Sequence, residues 1–508
     1  MRWFQSTASF LLPMLVITAR VAGVAAAAEQ PDIRPNIVVF LCDDLGEGDI
    51  AALGSRDIKT PSIDRLFADG TRLARHWAGN AVCAPSRCVL MTGRHPGHAV
   101  VRSNREVKPE GQHPMPEGTV TLASLLGEAG YATGGFGKWG LGAPGSVSDP
   151  LASGFDHFFG YNCQRHAHTF YPDYLWDDDR RVPLDNPPVP RGGKLPPDAG
   201  PADFATFIGT TYSADVIADA SLAFLEQAAG DAKNGKPFFL YVPTTVPHLA
   251  LQVPPDEPSL PGYIEHFSDD KPYRGGGGYV PCEHPLATYA AMITRMDRHL
   301  GRIMQLLEKQ NLADNTIVLF TSDNGATFPG CGGIDTGRLK SNGSLRGWKG
   351  SPYEGGLRVP TVIRFPGRIA AGRVIEAPNG FEDWLPTLLS LVGLADRVPK
   401  GLDGVDLSSV LLGEDEPDAD RSLYRELTEG RWQAAVAGRF KAIRRGKNRG
   451  REAGPLVVYD LLADPAEQVD IAAEKPEVAA RLAAFIDTEH EPNEAFALPF
   501  ADTAASAK

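Results

Sequence analysis

Short runs of mainly apolar residues, separated by helical patterns, constrain the fold of this chain more than any other feature. The runs lie at residues 36–42, 132–136, 237–242 and 316–321. Runs without polar alternation are typical of parallel strands buried on both faces. Helical patterns lie between them, at 61–70, from about Ser86 to Gly93, at 121–130 and at 286–309. We therefore predict an α/β fold with a large, mixed, mostly parallel β-sheet sandwiched by helices.

The pattern changes after about residue 395. Alternation at 433–444 and the apolar run 456–460 predict strands, and 476–486 predicts a helix. We expect a catalytic domain at 34–395, a small C-terminal α+β subdomain with an antiparallel sheet at 396–495, and a flexible tail at 496–508. Two stretches rich in Pro and Gly, 143–200 and 250–285, predict long loops, which in a compact domain are often functional.

The first 28 residues are typical of a cleaved signal peptide. Arg2 gives a positive start, residues 10–18 are mostly apolar, and alanines at 25–28 precede Glu29. The alternative is an uncleaved anchor, but Arg20 leaves the apolar run short of the roughly 20 residues that span a bilayer. We therefore predict a periplasmic or secreted protein without stable membrane insertion.

The net charge of the chain limits which partners it can bind. The formal net charge is -13, and removal of Arg2 and Arg20 with the signal peptide brings it to -15. Nucleic acid is excluded as a partner, because its binding depends on clustered Lys and Arg. An anionic substrate would need a local cluster of cations to overcome the overall field.

Polar side chains follow three of the predicted strands. They are Asp43 and Asp44, His248, and Asp323 with Asn324. Ligands of α/β sheets bind at the carboxyl ends of strands. The acids and the amide offer only oxygen ligands, which suits Ca²⁺, or less well Mg²⁺, and not zinc. Each motif alone is equally typical of a turn or a helix cap.

Six cysteines are present, without a CxxC pair, and their spacing assigns no disulfide. Cys83 differs from the others because Pro85 and Ser86 follow it, which places it at a helix start. The helix N-terminus and Arg87 both favour negative charge there. A buried structural cysteine is the alternative for such a residue taken alone.

The segment Cys-Ala-Pro-Ser-Arg at 83–87, followed by Thr-Gly-Arg at 92–94, resembles the signature of the sulfatase family. The resemblance covers most of the chain. Further segments similar to sulfatase motifs lie at 35–46, 137–139, 321–325, 345–360, 459–461 and 464–465. It implies an arylsulfatase-like enzyme with the alkaline phosphatase-like fold.

The resemblance also implies a chemistry. In sulfatases the cysteine matching Cys83 is oxidised to formylglycine by a separate enzyme, of a formylglycine-generating or anaerobic type. The hydrated aldehyde attacks sulfur with one hydroxyl, and the other helps to expel sulfate. By position, Ca²⁺ would be held by Asp43, Asp44, Asp323 and Asn324. Arg87 would orient the diol, sulfate would contact Lys138, His248 and Lys349, and Lys138 or His248 would protonate the leaving oxygen.

One position departs from the family pattern. Many sulfatases read Gly-Lys-Trp-His-Leu-Gly where this chain has Gly140 in place of the histidine. The role is lost, or another histidine fills the space. The next loop carries Gln164, His166 and His168, which we expect to bind substrate, and its two histidines are the candidates for the missing role, with ordinary surface histidines as the alternative. We hypothesise that His166 or His168 lines the substrate pocket.

The substrate is predicted less directly. The predicted loops carry aromatic residues able to stack on sugars: Tyr161, Tyr171 and Trp176. We expect a sulfated small molecule or saccharide, with galactose or N-acetylgalactosamine units favoured. The alternatives are a phosphate or phosphonate monoester hydrolase of the same superfamily and an inactive sulfatase-like binding protein.

Overall fold

A large sheet forms the centre of the computed structural model, which describes residue 1 and residues 34–505. The strands in chain order are β1 (Asn36–Asp43), β2 (Thr71–Leu73), β3 (His76–Trp77), β4 (Ala132–Lys138), β5 (His157–Tyr161), β6 (Tyr174–Asp177), β7 (Arg180–Pro183), β8 (Phe238–Pro247), β9 (Thr316–Ser322), β10 (Val362–Arg364), β11 (Val374–Ile375), β12 (Asn379–Gly380), β13 (Ser422–Leu427), β14 (Trp432–Ala437), β15 (Phe440–Lys447) and β16 (Glu452–Asp460).

Within residues 34–505, ten strands form one sheet in the order β11-β2-β10-β9-β1-β8-β4-β5-β6-β7. The five central strands β9, β1, β8, β4 and β5 run parallel, and antiparallel pairs lie towards both edges. Strand β1 is buried along its whole length, with Val38 and Phe40 in one core and Ile37, Val39 and Leu41 in the other. This burial on both faces explains its continuous apolar sequence.

Helices lie on both faces of the main sheet, and the last two helices of the chain pack against the C-terminal strands β14 to β16. They are α1 (Pro61–Asp69), α2 (Cys83–Thr92), α3 (Leu122–Glu128), α4 (Pro201–Ala205), α5 (Ser213–Ala232), α6 (Leu260–His266), α7 (Pro285–Lys309), α8 (Thr336–Leu339), α9 (Glu354–Leu357), α10 (Trp384–Leu391), α11 (Ser408–Leu412), α12 (Pro476–Glu489) and α13 (Pro499–Ala505). Residues of α1, α5 and α7 pack in one core, and residues of α2, α3 and α10 in the other. The predicted fold class is confirmed.

A separate antiparallel sheet, β13-β14-β15-β16, lies in the C-terminal part. The single strand predicted at 433–444 is wrong: β14 and β15 form a hairpin that turns at Gly438, where φ is 59°. The apolar alternation continues through this turn and hides it. The segment 496–508, predicted as a flexible tail, includes α13, whose Phe500 is buried.

The stretch 143–200 is not one long loop, because β5, β6 and β7 extend the main sheet there. The hairpin of β6 and β7 is short, and its exposed acidic turn carries little strand signal. The second predicted loop, 250–285, contains α6. Both stretches lie beside the carboxyl ends of β4 and β8.

The predicted signal peptide lies outside the described residues, apart from Met1. Along residues 34–505, no helix combines the length and apolar character needed to cross a bilayer. The six cysteines all fall within the described part of the chain, and each is a free thiol there.

Candidate active site

Three parallel strands bring the predicted oxygen ligands together. Cys42 pairs with Ser322 and Asp43 with Pro247, so β1, β8 and β9 end at the same edge of the sheet. Asp44 and Asn324 meet there, because Asn324 Nδ2 donates to Asp44 Oδ1 at 2.7 Å. Oδ1 of Asp323 accepts from the Asp44 backbone N–H at 3.3 Å.

Helix α2 presents its first residue, Cys83, to this edge. Cys83 Sγ lies 3.5 Å from Asp43 Oδ1 and is buried. One turn later, Arg87 donates two hydrogen bonds to Asp323 Oδ2, at 2.8 and 3.1 Å, and another to the backbone oxygen of Lys138. The sequence places these two side chains on one helix face, because they are four residues apart.

Two lysines complete the pocket. Lys138, the last residue of β4, donates to Asp43 Oδ2 at 2.6 Å. Lys349, from the loop before α9, lies 2.7 Å from Asp44 Oδ1 and 3.3 Å from Cys83 Sγ. The site thus has two ammonium groups near Cys83, the local positive cluster that an anionic substrate needs in a negatively charged protein.

His248 follows β8 and lies at the edge of the pocket. Its Nδ1 donates to the Leu249 backbone oxygen at 2.7 Å, and Nε2 lies 3.8 Å from Asp44 Oδ2. The ring of His168 stacks on it, with centroids 4.9 Å apart. Burial, with the nearby Lys349 charge, holds the pKa of His248 well below its usual value.

The pKa values of Asp43 and Asp323 are shifted in opposite directions. Burial alone would raise the pKa of Asp43, but the charges of Lys138 and Arg87 hold it well below its usual value. Burial and the neighbouring Asp43 raise the pKa of Asp323 to about 6. Burial also raises the pKa of the unmodified Cys83 thiol to about 12, so this thiol is a poor nucleophile at neutral pH.

The oxygens of Asp43, Asp44, Asp323 and Asn324 fit a hard divalent cation, and a thiol and an imidazole lie close to the first two. Polar atoms of Asp43, Asp44, Cys83 and His248 lie within 4.8 Å of one another. The Oδ1 atom of Asn324 is buried without a hydrogen-bond partner, although its Nδ2 is bonded. An unpaired buried acceptor beside carboxylates suits a metal ion. The negative charges of three carboxylates (Asp43, Asp44, Asp323) equal the positive charges of three basic side chains (Arg87, Lys138, Lys349). A bound divalent cation would therefore give the pocket a net positive charge.

Gln164 fills the space beside Gly140. Gly140 has a φ of 79°, a left-handed conformation that favours glycine, and a Cβ there would lie 2.8 Å from Gln164 Nε2. This Nε2 atom is buried without a hydrogen-bond partner. Contrary to the expectation that another histidine fills this space, Gln164 adjoins the position where many sulfatases carry a histidine.

A cleft of about 370 Å³ opens beside the pocket, and His166 and His168 both line it. The expectation that Tyr161 and Tyr171 frame a sugar site is wrong, because both rings are buried in the core. Tyr174 lines the cleft instead. Its position was missed because nothing in the sequence separates it from the neighbouring aromatic residues.

Three hydrogen bonds to other parts of the fold hold the loop that carries Lys349. The Lys349 N–H donates to Ala326, and the Gly350 N–H donates to Ala81, just before α2. From the C-terminal sheet, Trp432 Nε1 donates to the Gly350 oxygen at 3.0 Å. Strand β14 therefore contacts the residue next to Lys349, and no sequence motif predicts this contact.

Replacing Trp432 by phenylalanine removes this one hydrogen bond. For the sulfate ester hydrolysis that the sulfatase resemblance implies, we expect kcat to fall about 2- to 10-fold, the effect of a typical hydrogen bond. Trp384→Phe is a matched control, because it also loses a buried indole bond, to His76, but lies away from the loop. Steady-state kinetics on both variants checks this, and an equal loss of kcat in both would contradict a specific role for Trp432.

The chain belongs to the sulfatase family, whose model matches residues 35–394. It is 32% identical over 451 residues to N-acetylgalactosamine-6-sulfatase of Canis lupus familiaris, covering 84% of this chain and 74% of the relative. It is also 29% identical over 481 residues to steryl-sulfatase of Mus musculus, with 82% and 71% covered. The protein is therefore a sulfuric ester hydrolase, as predicted.

Solved structures agree with the fold. The crystal structure of Ps i-CgsB has a TM-score of 0.73 and 25% identity, covering 93% of this chain and 96% of the other. A phosphonate monoester hydrolase of Agrobacterium radiobacter has a TM-score of 0.60 and 21% identity, with 90% and 95% covered. The second likeness supports the alkaline phosphatase-like fold alone.

Proposed function

We propose that the enzyme hydrolyses sulfate esters of saccharides, with galactose or N-acetylgalactosamine units preferred. The observation that carries the proposal is the position of Cys83. It starts a helix and lies against Lys349 and beside the carboxylate of Asp43. Oxidation of Cys83 to formylglycine by a maturation enzyme would supply a hydrated aldehyde, a nucleophile that can later release its sulfate.

We assign Ca²⁺, in preference to Mg²⁺, to Asp43, Asp44, Asp323 and Asn324. When bound, the ion would supply positive charge to sulfate oxygens and favour ionisation of the nucleophile. The unpaired Asn324 Oδ1 and the all-oxygen donor set support this assignment.

The remaining residues have separate roles in the proposal. Lys138 and Lys349 bind sulfate oxygens from two sides, and charge that develops there is stabilised by groups already in place. Arg87, fixed by Asp323, orients residue 83. Of Lys138 and His248, Lys138 is assigned to protonate the leaving oxygen. Although burial opposes it, the Asp43 charge raises the pKa of Lys138, whereas the lowered pKa of His248 leaves its Nε2 without a proton.

The substrate class rests on the relatives and on the cleft. One relative is named for N-acetylgalactosamine 6-sulfate, whereas another is named for steryl sulfate. The cleft favours a saccharide, because polar and charged side chains line it. Gln164, His166 and His168 are proposed to contact this saccharide. Export to the periplasm or the medium is proposed from the N-terminal sequence.

Relative rates test the reaction class. We expect kcat/KM for 4-nitrophenyl sulfate to exceed that for 4-nitrophenyl phosphate and for a phenylphosphonate ester. Mass spectrometry of the peptide that contains residue 83 measures its conversion to formylglycine. Unmodified cysteine in protein from the native source, together with no hydrolysis, would favour the inactive binding protein. A preference for phosphorus esters would favour the phosphonate hydrolase alternative.

His168→Ala tests the histidine hypothesis. We expect KM for a sulfated N-acetylgalactosamine to rise about 2- to 10-fold, because the ring stacked on His248 is lost. His166→Ala should have a similar effect, since its ring lines the same cleft. On α6, the exposed His266 pairs with Asp57, and His266→Ala is the control. Unchanged kinetics in both cleft variants would contradict the hypothesis.

A further inference from the structure

Hydrogen bonds to the Glu110 carboxylate hold together the side chains that form one wall of the cleft. This carboxylate accepts hydrogen bonds from the Tyr174 hydroxyl at 2.5 Å and the Trp176 indole at 2.8 Å. Arg181 donates to it at 3.2 Å, and His166 Nδ1 lies 3.3 Å away. These bonds hold the pKa of Glu110 at about 2, against the effect of burial. The wall is therefore fixed before a ligand arrives.

His166 leaves one polar atom without a hydrogen bond. Its side chain is 4% exposed, and Nε2 has no hydrogen-bond partner, with the nearest carboxylate, that of Asp173, 3.7 Å away. Buried polar atoms are normally hydrogen-bonded. Since His166 lines the cleft, a ligand hydroxyl or anionic oxygen would complete its bonding.

Three guanidinium groups line the same cleft. Arg181 lies over the Tyr174 and Trp176 rings, 4.4 and 5.1 Å from their centroids. Arg191 pairs with Asp173 at 2.8 Å, and Arg165 pairs with Glu106 at 3.4 Å. These last two pairs are exposed, and exposed pairs contribute about 0–1 kcal/mol. An incoming anion can therefore displace the carboxylates, and each guanidinium has five N–H donors.

We infer that this cleft binds a second anionic group, a sulfate or a carboxylate, on the sugar unit next to the one that loses its sulfate. His168 connects the two places, because it lines the cleft and stacks on His248. The preferred substrate is then an oligosaccharide with at least two anionic units. This inference rests on the proposed function.

Direct binding tests the inference without turnover. Calorimetry on the Cys83→Ala protein compares galactose-containing disaccharides with one sulfate, with a second sulfate on the adjacent unit, and with a carboxylate there. We expect at least one of the two dianionic ligands to bind about tenfold or more tightly than the monosulfated one. The ligand that gains most identifies the second group.

Arginine variants test which side chains cause the tighter binding of the dianionic ligands. Arg191→Gln and Arg181→Gln should each reduce the tenfold preference to about threefold or less. Arg180→Gln is the matched control, because Arg180 neighbours Arg181 on β7 but pairs with Asp177 outside the cleft. Equal binding of all three ligands, or an equal loss of preference in all three variants, would overturn the inference.

Turnover by the unaltered enzyme distinguishes failure of the cleft assignment from failure of the proposed function. Hydrolysis of 4-nitrophenyl sulfate and of the monosulfated sugar, without a gain from a second anion, leaves the proposed function and overturns the cleft assignment. No hydrolysis of any sulfate ester overturns the proposed function. If the dianionic ligand still binds through Arg191 in that case, the cleft assignment is supported by binding alone.

Discussion

Cys83→Ala is expected to abolish sulfate ester hydrolysis, with kcat lower by about 10³-fold or more. Losses of this size follow removal of a covalent nucleophile. The pocket should otherwise persist, since Lys138 keeps its bond to Asp43 and Lys349 keeps its bond to Asp44. Initial rates with 4-nitrophenyl sulfate, together with the melting temperature, measure the two effects separately.

Cys88→Ala is the matched control for this experiment. Cys88 lies on the same helix and is equally buried, but it packs in the apolar core between the sheet and α10. Its replacement should lower stability through a small cavity and leave kcat within about twofold. Activity retained by Cys83→Ala, or lost to the same extent in Cys88→Ala, would refute a reaction centred on residue 83.

Removal of divalent metal is expected to have the second largest effect. Incubation with a chelator should reduce kcat by about 10²-fold or more, because the cation offsets charge that develops on sulfate. The melting temperature should fall as well, since a ligand at about 100 times its Kd contributes about 2.7 kcal/mol to the free energy of unfolding. Added Ca²⁺ should restore both quantities more effectively than Mg²⁺.

Asp44→Asn provides the matched variant for the metal experiment. Asn keeps the shape of the side chain but removes a charge that faces Asn324 and Lys349. We expect its melting temperature to respond to Ca²⁺ only at concentrations about tenfold or more above those that saturate the unaltered protein. If the chelator changes neither the activity nor the melting temperature of the unaltered protein, the metal assignment is refuted.

The sequence predicts the central sheet and the assembly of the site for a clear reason. Residues such as Asp43 and Asp323 follow strands that are apolar on both faces, and parallel strands end at a common edge. Cys83 and Arg87 are four residues apart on a short helix, so local geometry alone brings them together. These placements need only periodicity and motif spacing.

Other contacts depend on packing that no local pattern encodes. Glu110 and Tyr174 meet in the cleft wall although 64 residues separate them. Gln164 occupies the space beside Gly140 because β5 runs parallel to β4 and the residues after the two strands lie side by side, whereas the sequence favours the nearby histidines. The β6–β7 hairpin was missed because its strands are short and carry charged residues.

The bond between Trp432 and Gly350 has a practical consequence for protein engineering. A shortened chain that stops near residue 395 would contain every residue assigned to sulfate and metal, yet Lys349 would lack its neighbouring support. Glu467, beyond the last strand, also accepts from the Glu354 N–H at the start of α9. The minimal enzyme for expression or fusion therefore extends past residue 467, and libraries that trim the C-terminus should begin beyond that point.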